Sequence, residues 1–571
     1  MRSSSNTLVQ FLSLAALGAA APLGSSNCSS DWATQKWDAI IVGAGPAGLI
    51  VADRLSEAGK KTLLLEVGGV SYGVTGGKEK PSWLEGTDLS RVDVPGLYST
   101  IFSDPSDELV CKSDVVGGYG GCTIGGSSAI NAGLYFQPPD SDWDDFHPDG
   151  WKSADVKSAT QRLLSRQAPV THCSVDGKYY LESNYDAVKE WIVDGAGYKE
   201  VSINEDFNNK NNVFGRTEYD YINGQRGGPT RTYLQSALKR SNFHLQTGVR
   251  VQYINQIAGV ANGVTAMVNG KAVKISVAKG GRVVLSAGAI ASPGLLMHSG
   301  IGPVDALKAL ASDKYTPYNA ANWIPQPAVG EGLFDNPNTF IQMSSPDVDA
   351  RHYNYDSISE ADKELYLKSR SGPYAFASQS SVFWSFIDHE DGTQGGVQGT
   401  IASTGHGEFN DNHTITLNVY GTSGMATTGR VVLSGDGKFV PGASAGMYYA
   451  DSRDALDIAT WIHTLFQALP ASTPEQPAKH GLTPLNMNQN WSVAEIQKYI
   501  TTPSDYAVGA VNHWSSSCRI GSCVDADTKV IGTQNIHVID ASILAPLTVN
   551  PQFATMVAGE KGAERVLALM K

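Results

Sequence analysis

Three glycines near the start of the chain are spaced to bind a phosphate group. Gly43, Gly45 and Gly48 follow the apolar run 39–42, which is typical of a buried strand. In this pattern the first glycine permits a tight turn, the second lets backbone approach a pyrophosphate, and the third lets a helix pack close to the sheet. The helix N-terminus adds N–H groups and the positive end of its dipole. The segment therefore predicts a dinucleotide site.

An acidic residue indicates which dinucleotide fits. Glu66 ends a second apolar run, 62–65, and lies 21 residues after Gly45. A carboxylate at that position can accept hydrogen bonds from both hydroxyls of an adenosine ribose, and it would repel a 2′-phosphate. FAD or NAD is therefore expected, and NADP is not.

The N-terminal residues 1–20 have the pattern of a secretory signal peptide. Arg2 precedes the apolar run 8–21, which ends in small residues and is too short to span a membrane. Cleavage is expected after Ala20. Glycosylation sequons begin at Asn27, Asn412 and Asn490. We therefore expect a secreted, extracellular glycoprotein.

The length and net charge of the chain indicate the number of domains and exclude some classes of binding partner. A chain of 571 residues exceeds a single hydrophobic core, so two domains are expected. No later run stays apolar for the roughly 18 residues that a membrane span requires. The formal net charge of −13 gives no electrostatic reason to bind nucleic acid or an anionic membrane. Neither is expected as a partner.

The cysteines lie beyond the predicted signal peptide, in a compartment where disulfides persist. Two pairs are close enough in sequence to close a short loop: Cys111 with Cys122, and Cys518 with Cys523. Cys28 and Cys173 remain as a third pair by elimination. A zinc site at Cys518 and Cys523 is the alternative for that pair. We predict disulfides and no metal ligands.

Three further blocks carry a family resemblance. They are 121–133, 288–302 and 538–542, the last followed by Asn550-Pro-Gln. Together with the glycine turn they resemble the glucose-methanol-choline (GMC) flavoprotein oxidoreductases. The block 288–302 agrees with the signature of that family at each fixed position, including Ser292, Pro293 and Ser299.

The resemblance implies an α/β fold, with a Rossmann-like FAD-binding domain and a discontinuous substrate domain on an antiparallel sheet. The FAD-binding domain would comprise 36–140, 225–305 and 505–571. The substrate-binding domain would comprise 141–224 and 306–504. No histidine lies in 117–133, where some family members attach the flavin covalently. Noncovalent FAD is therefore expected.

Further cofactor residues are implied by the same resemblance. A helix starting near Gly125 would point N–H groups at the pyrophosphate, with Ser127 beside it and Asn131 toward the flavin ring. Val251 resembles the residue whose backbone holds the adenine. Asp540 resembles a residue near the ribityl and pyrophosphate, although without the family it could be a simple helix N-cap.

The catalytic pair implied by the family is His513 and Asn550. Oxidising an alcohol by hydride transfer requires removal of the hydroxyl proton, and a neutral imidazole is the natural base. His513 resembles that base, and Asn550 resembles the neutral partner that binds the same substrate oxygen. Asn512 resembles a neighbouring residue that contacts sugar hydroxyls.

Several segments resemble the flavodehydrogenase domain of fungal cellobiose dehydrogenases, but no cytochrome domain precedes the first strand. Two departures concern the substrate. Phe102 is kept, whereas Ser99 stands where those enzymes have a glutamate and Thr428 where they have an arginine. Loss of this charged pair argues against unchanged cellobiose specificity.

The resemblance therefore implies an FAD-dependent enzyme that oxidises a CH–OH group of a sugar or other alcohol. A quinone, another diffusible acceptor or oxygen would reoxidise it, and a dehydrogenase is favoured over an oxidase. The alternative is a biosynthetic member of the family, which carries out oxidation, cyclisation or a lyase-type reaction on an aromatic or polyketide substrate.

Overall fold

The computed structural model describes residues 31–103, 109–111, 119–311, 316–436, 438–470 and 480–570. The predicted signal peptide, Asn27 and Cys28 lie outside the described residues. The fold combines two large β-sheets with helices, which confirms the predicted α/β class.

The first sheet has seven strands, and the glycine turn directly follows one of them, Lys36–Val42. Its strands are Lys36–Val42, Thr62–Leu65, Phe243–Gln246, Val249–Ile257, Val260–Val268, Lys271–Leu285 and Ile536–Val538. Five of them run parallel in the order 243–246, 62–65, 36–42, 271–285 and 536–538. The N-terminal half of 271–285 continues into an antiparallel meander with 260–268 and 249–257.

Close packing at the carboxyl edge of these parallel strands explains the spacing of the glycines. Gly43 has a left-handed φ of 103°, and a Cβ there would lie 2.4 Å from the carbonyl oxygen of Ser286. A Cβ on Gly48 would lie 2.0 Å from the carbonyl oxygen of Gly43. Helix Pro46–Glu57 therefore packs against the turn closer than any side chain would permit.

The second sheet has eight strands and two chemically different faces. Its strands are Lys199–Glu200, Val213–Arg216, Pro337–Ser344, Gln379–Asp388, Gln394–Ala402, Thr414–Gly421, Thr483–Pro484 and Ala507–Ala510. One face carries Ile341, Leu417 and Ile401 into a buried apolar core shared with helix Ser452–Gln467. Because side chains alternate along a strand, the intervening polar residues face the other way.

Helices and short strands connect and cover the sheets. The α-helices are Asp31–Thr34, Pro46–Glu57, Thr100–Ser103, Asp140–Asp144, Ser153–Arg166, Glu182–Lys189, Tyr233–Ala237, Gly288–His298, Val304–Leu310, Glu360–Ser369, Ser452–Gln467, Val493–Ile500 and Gln552–Leu569, and Glu190–Gly195 is a π-helix. The 3₁₀ helices are Gly73–Thr75, Ser82–Leu84, Arg91–Asp93, Pro95–Leu97, Gly126–Ala129, Pro373–Ala375 and Ala541–Ile543. The short strands are Tyr221–Ile222, Gln225–Arg226, Ile301–Gly302, Ile324–Pro325, Glu331–Leu333, Gly429–Leu433 and Pro441–Ala443.

Strand pairing requires one correction to the predicted segments. Strands of the first sheet fall in the segments predicted to bind FAD, and those of the second sheet fall in 141–224 and 306–504, with one exception. Ala507–Ala510 lies inside 505–571 but pairs antiparallel with Pro337–Ser344 of the second sheet. Backbone hydrogen bonding, which the sequence pattern does not reveal, moves this boundary past Ala510. The rest of the division stays a prediction.

Two of the predicted disulfides are present. Cys111 and Cys122 are bonded with a Cα–Cα distance of 4.7 Å, and Cys518 and Cys523 with one of 4.8 Å. Cys173 is buried, and its predicted partner lies outside the described residues. In the described part of the chain, no helix is long and apolar enough to cross a membrane. No cluster of metal-ligating side chains occurs in those residues either.

Gly48→Ala is expected to lower both the melting temperature and the flavin content. The added methyl group would meet a backbone carbonyl that cannot move without shifting the turn, and overpacking of this kind costs about 1–3 kcal/mol. Thermal unfolding and the ratio of flavin to protein absorbance check this. Gly435→Ala is the matched control because no atom lies within 4 Å of its Cβ position. Equal behaviour of the two variants would contradict the prediction.

Candidate active site

A cavity of about 720 Å³ lies between the two sheets. The carboxyl edge of the first sheet and the glycine turn line one part of it, and the polar face of the second sheet lines another. Ligands of open α/β folds bind outside the carboxyl ends of the strands. The cavity is therefore where the predicted dinucleotide and substrate residues should meet.

The glycine turn and Glu66 form a cradle of backbone N–H groups and one carboxylate. Glu66 accepts hydrogen bonds from Ala44 N at 2.7 Å and Gly68 N at 2.9 Å. Burial raises the pKa of this carboxyl group to about 7. A Cβ on Gly126 would lie only 2.8 Å from the Cα of Gly45, so two backbone segments meet at the cavity wall. These features fit the pyrophosphate and adenosine ribose of a dinucleotide.

Most of the predicted cofactor residues lie on the cavity wall. They are Gly43, Gly45, Glu66, Ser127, Asn131, Val251 and Asp540. Gly48 does not line the cavity, in keeping with its predicted role in helix packing. Gly125 also does not line it, because its N–H donates to Ala44 O at 2.8 Å. The helix predicted to begin there is a short 3₁₀ turn, Gly126–Ala129, whose Gly126 lies at the wall.

Asp540 both caps a helix and faces the cavity. Its carboxylate accepts hydrogen bonds from Ser542 N at 2.9 Å, Gly288 N at 2.9 Å and Ser292 Oγ at 2.6 Å. Ser542 N belongs to the 3₁₀ helix Ala541–Ile543 that Asp540 caps. The two interpretations of Asp540 from the sequence are therefore compatible. The residue ties the last strand of the first sheet to the start of helix Gly288–His298.

Asn131 belongs to a chain of hydrogen bonds that ends in a charge on each side. Arg226 Nη1 donates to Asn131 Oδ1 at 3.1 Å, and Asn131 Nδ2 donates to Gln552 Oε1. Gln552 Nε2 then donates to Asp220 Oδ2 at 3.1 Å. Asn131 and Gln552 both line the cavity. The orientation of each amide is fixed by the charged residue at its end of the chain.

The hydrogen bonds of His513 define its tautomer. Asn336 Nδ2 donates to Gly421 O at 2.6 Å, so Asn336 Oδ1 faces the imidazole and can only accept. His513 Nδ1 therefore carries the proton and donates to Asn336 Oδ1 at 2.9 Å. This leaves a lone pair on Nε2. That nitrogen accepts from Asn550 Nδ2 at 3.2 Å at the cavity wall.

Asn550 is oriented by a second set of hydrogen bonds. The indole N–H of Trp384, which can only donate, bonds to Gln398 Oε1 at 2.9 Å. Gln398 Nε2 then donates to Asn550 Oδ1 at 2.8 Å, and the Tyr420 hydroxyl donates to the same oxygen at 3.3 Å. The Nδ2 donor of Asn550 is therefore left for the space beside His513.

Burial keeps the imidazole neutral. Desolvation lowers the pKa of His513 to about 3, and both of its ring nitrogens face side-chain amides rather than charges. The carboxylate of Asp335 contacts the backbone instead, accepting from His513 N at 2.7 Å and Asn512 N at 3.2 Å. Asn512 has a left-handed φ of 64°, which these bonds help to hold. The chain thus presents a neutral base on a fixed loop.

The predicted substrate residues divide between the cavity and the surface. Phe102 and Asn512 line the cavity. Ser99 does not, because it precedes the helical turn Thr100–Ser103 and its carbonyl accepts Phe102 N at 3.3 Å. Thr428 is exposed and also outside the cavity. Phe102 therefore occupies the wall on that side, and a substrate contact of the half-buried Ser99 stays a prediction.

Four residues that orient the pair are absent from the sequence-based predictions. They are Asp335, Asn336, Gln398 and Tyr420. They come from different strands or strand ends of the second sheet and meet only through its pairing, such as Gln398 opposite Tyr420. The sequence did carry one indication of Gln398 and Tyr420. Polar residues alternate with apolar ones in their strands, Gln394–Ala402 and Thr414–Gly421.

The dinucleotide cradle and the neutral base that face one cavity define a dinucleotide-dependent oxidoreductase. Residues 38–338 and 426–559 match the N-terminal and C-terminal sequence profiles of GMC oxidoreductases. Because these matches span most of the chain, the protein belongs to the GMC oxidoreductase family. It is an FAD-binding flavoprotein.

Individual relatives span nearly the whole chain. A chloroplastic fatty acid photodecarboxylase of Chlamydomonas reinhardtii is 26% identical over 98% of this chain and 93% of that protein. An oxygen-dependent choline dehydrogenase of Vibrio vulnificus is 27% identical over 93% of this chain and 94% of that protein. The formate oxidase of Aspergillus oryzae RIB40, solved as its R554A mutant, aligns with a TM-score of 0.73 at 18% identity, covering 94% of this chain and 98% of that one. At this sequence identity, the similarity to the formate oxidase structure shows a shared fold alone.

Glu66→Gln is expected to weaken FAD binding about tenfold or more. The neutral amide replaces charge-assisted hydrogen bonds worth about 1.5–3 kcal/mol each. Fluorescence titration of the apoprotein with FAD measures the dissociation constant. Glu57→Gln, an exposed carboxylate outside the cavity, is the control. An unchanged dissociation constant for Glu66→Gln would remove Glu66 from the cofactor site.

Proposed function

We propose that the protein oxidises the CH–OH group of an alcohol, with His513 as the base and Asn550 as the ligand of the substrate oxygen. The observation that carries the proposal is the lone pair on His513 Nε2, which lies beside the Asn550 Nδ2 donor at the cavity wall. The two groups are 3.2 Å apart. An alcohol oxygen that lies within reach of both nitrogens and replaces their mutual hydrogen bond can donate its proton to His513 Nε2 and accept from Asn550 Nδ2.

The residues divide the work of the reaction between binding and proton transfer. Asn550 donates a hydrogen bond to the alcohol oxygen and orients the hydroxyl proton toward His513 Nε2. His513 accepts that proton while Asn336 holds the proton on Nδ1 in place. Bound FAD supplies the acceptor for the hydride that leaves the carbon. The chain then releases a carbonyl product and returns the proton from His513 to solvent.

The positive charge that develops on His513 faces only neutral hydrogen-bond partners among the described residues. Within the described part of the chain, the hydrogen-bond partners of the imidazole ring are the amides of Asn336 and Asn550, and Asn336 Oδ1 accepts its Nδ1 proton. The carboxylate of Asp335 accepts a hydrogen bond from the backbone N–H of His513 instead. An imidazolium in this position is costly, which favours prompt loss of the proton once the carbonyl has formed.

The proposal also includes the location of the enzyme, the attachment of its flavin, its type of substrate and its electron acceptor. The predicted signal peptide and the disulfides at Cys111 and Cys518 support secretion of the protein. The lack of histidine in 117–133 supports noncovalent FAD. The segments that resemble cellobiose dehydrogenases support a sugar-type alcohol and a dehydrogenase, reoxidised by a diffusible quinone or by oxygen.

His513→Ala is expected to slow anaerobic flavin reduction about 10²- to 10⁴-fold, the range for loss of a positioned base. FAD content should be retained, since His513 is not part of the glycine cradle. Asn550→Ala should have a smaller effect on the rate and also raise the substrate concentration needed for half-maximal reduction. Stopped-flow absorbance measures both, with exposed His172→Ala as the control. Reduction of His513→Ala at the wild-type rate would refute the proposed base.

Activity is expected to persist below the normal pKa of histidine. Because burial lowers the pKa of His513 from 6.5 to about 3, the neutral base form remains dominant as the pH falls from 8 to about 5. The pH profile of kcat/KM for flavin reduction checks this. Burial also raises the pKa of Asp335 to about 6, so Asp335→Asn is measured alongside. A fall centred near pH 6.5 that persists in Asp335→Asn would contradict the prediction.

A further inference from the structure

The segment 545–550 carries Asn550 to the cavity wall without forming a helix or a strand. It follows the 3₁₀ helix Ala541–Ile543 and precedes helix Gln552–Leu569. A buried segment outside regular secondary structure needs partners from elsewhere for its backbone N–H and carbonyl groups. The residues that supply those partners also fix the position of Asn550.

All three polar groups of Thr548, two residues before Asn550, are hydrogen bonded. Its N–H donates to Asp142 Oδ2 at 2.8 Å, and its hydroxyl donates to Asp142 Oδ1 at 2.6 Å. Because the hydroxyl proton is used in this way, the Ser423 hydroxyl donates to Thr548 Oγ1, at 2.9 Å. Thr548 O accepts from the indole N–H of Trp384 at 3.1 Å. Thr548 is therefore held from two sides, by helix Asp140–Asp144 and by a strand of the second sheet.

His147 fixes the start of the same segment. Its Nδ1 lies 3.0 Å from Asp142 O, which can only accept, so Nδ1 carries the proton. Its Nε2 then accepts from Ala545 N at 3.3 Å. Burial lowers the pKa of His147 to about 4, which keeps the ring neutral and the Nε2 lone pair available. We call Asp142 and His147 the clamp, because they bind backbone N–H groups three residues apart in one segment.

The indole of Trp384 connects the clamp to the side chain of Asn550. Its N–H is shared between Thr548 O at 3.1 Å and Gln398 Oε1 at 2.9 Å. Gln398 Nε2 donates in turn to Asn550 Oδ1 at 2.8 Å. One indole therefore holds both the backbone that precedes Asn550 and the amide that orients it. A shift of Thr548 would change both.

The clamp acts from behind the cavity wall. Asp142 and Thr548 are 1% and 2% exposed, and neither is among the described residues that line the cavity. A substrate in the cavity would therefore contact Asn550 and not the two residues that hold its segment.

The contact between Asp142 and Thr548 does not depend on the charge of the carboxyl group. Burial raises the pKa of Asp142 to about 7, helped by Asp145 and opposed by the Thr548 donors and the ammonium group of Lys210. A protonated carboxyl oxygen donates to Thr548 Oγ1 once the Thr548 hydroxyl has turned to donate to Ser423 Oγ. Both hydrogen bonds to Thr548 are therefore available in either protonation state.

We infer that Asp142 and Thr548 are positioning residues for Asn550, and that they hold its Nδ2 donor beside His513 Nε2. The inference rests on the proposed function, because it concerns the placement of the group that binds the substrate oxygen. The alternative is a contact that supports the fold alone. Its loss would then lower stability without acting selectively through Asn550.

Two pairs of variants break or keep the contact. Thr548→Val replaces the hydroxyl with a methyl group, whereas Thr548→Ser keeps the hydroxyl. Asp142→Ala removes both acceptors, whereas Asp142→Asn keeps one acceptor and one donor, as a protonated carboxyl group does. Thr533→Val is the matched control. Thr533 is buried, its hydroxyl donates to Val530 O at 2.7 Å, and it is not among the described residues of the cavity wall.

Anaerobic flavin reduction measures the effect on the reaction. The wild-type protein is first mixed with D-glucose, cellobiose, glycerol, choline and benzyl alcohol, and the fastest reductant is the probe for every variant. Thr548→Val and Asp142→Ala should lower the limiting rate about 3- to 10-fold, as expected for loss of a hydrogen bond. They should also raise the half-saturating concentration, as Asn550→Ala does. Thr548→Ser and Asp142→Asn should restore most of the lost rate, and Thr533→Val should match the wild type.

A double-mutant cycle separates positioning from support of the fold. Thr548→Val combined with Asn550→Ala should reduce its flavin no more slowly than Asn550→Ala alone, because the clamp acts through Asn550. A crystal structure of Thr548→Val with FAD bound should show the Asn550 amide displaced from His513 Nε2. Flavin content and melting temperature show that each variant has folded.

The outcomes separate this inference from the proposed function. Reduction of Thr548→Val at the wild-type rate would overturn the inference and leave alcohol oxidation intact. So would a loss of rate that multiplies with that of Asn550→Ala, or a Thr548→Val protein that no longer retains FAD, since the contact would then support the fold. Failure of every alcohol tested to reduce the wild-type flavin would overturn the proposed function itself, and the inference with it.

Discussion

Backbone contact at the carboxyl edge of the seven-stranded sheet is the constraint on which the rest of the molecule depends. Gly43 approaches Ser286 so closely that a Cβ would lie 2.4 Å from its carbonyl oxygen. This contact brings strands from both ends of the chain to one edge, where Asp540 then bonds to Gly288 N and Ser292. The cavity, the cofactor cradle and the loop of His513 all take their positions from that edge.

Uncharged side chains orient the two catalytic residues. The amide of Asn336 sets the tautomer of His513, and the amide of Gln398 sets the orientation of Asn550. Gln398 is itself oriented by the indole N–H of Trp384, which can only donate. Carboxylates such as Asp335 bind backbone N–H groups instead of the imidazole. A low local dielectric strengthens these bonds, so a neutral site can still hold its groups firmly.

Local patterns in the sequence predicted the cofactor half of the site. The residues that orient His513 and Asn550 are instead brought together by pairing between strands that are distant in sequence. The glycine turn and Glu66 were predictable because turn, helix and strand follow one another within thirty residues. Asn336 and Gln398 could not be found this way, because strand register alone brings them to His513 and Asn550. Ser99 was placed by aligning a loop, and its role stays a prediction. Residues 507–510 were included in the predicted FAD-binding segment 505–571 although they pair with the second sheet, because adjacency in sequence does not fix strand partners.

The position of Ile536–Val538 has a consequence for how the protein is made. This strand pairs with 283–285 and completes the parallel edge, yet it lies within the last forty residues of the chain. A ribosome synthesises the second sheet before it synthesises the strand and helix that close the first. Domains fold as their chain emerges, so the dinucleotide edge stays open until every strand of the second sheet has been synthesised. The first sheet is therefore begun before the second sheet and completed after it.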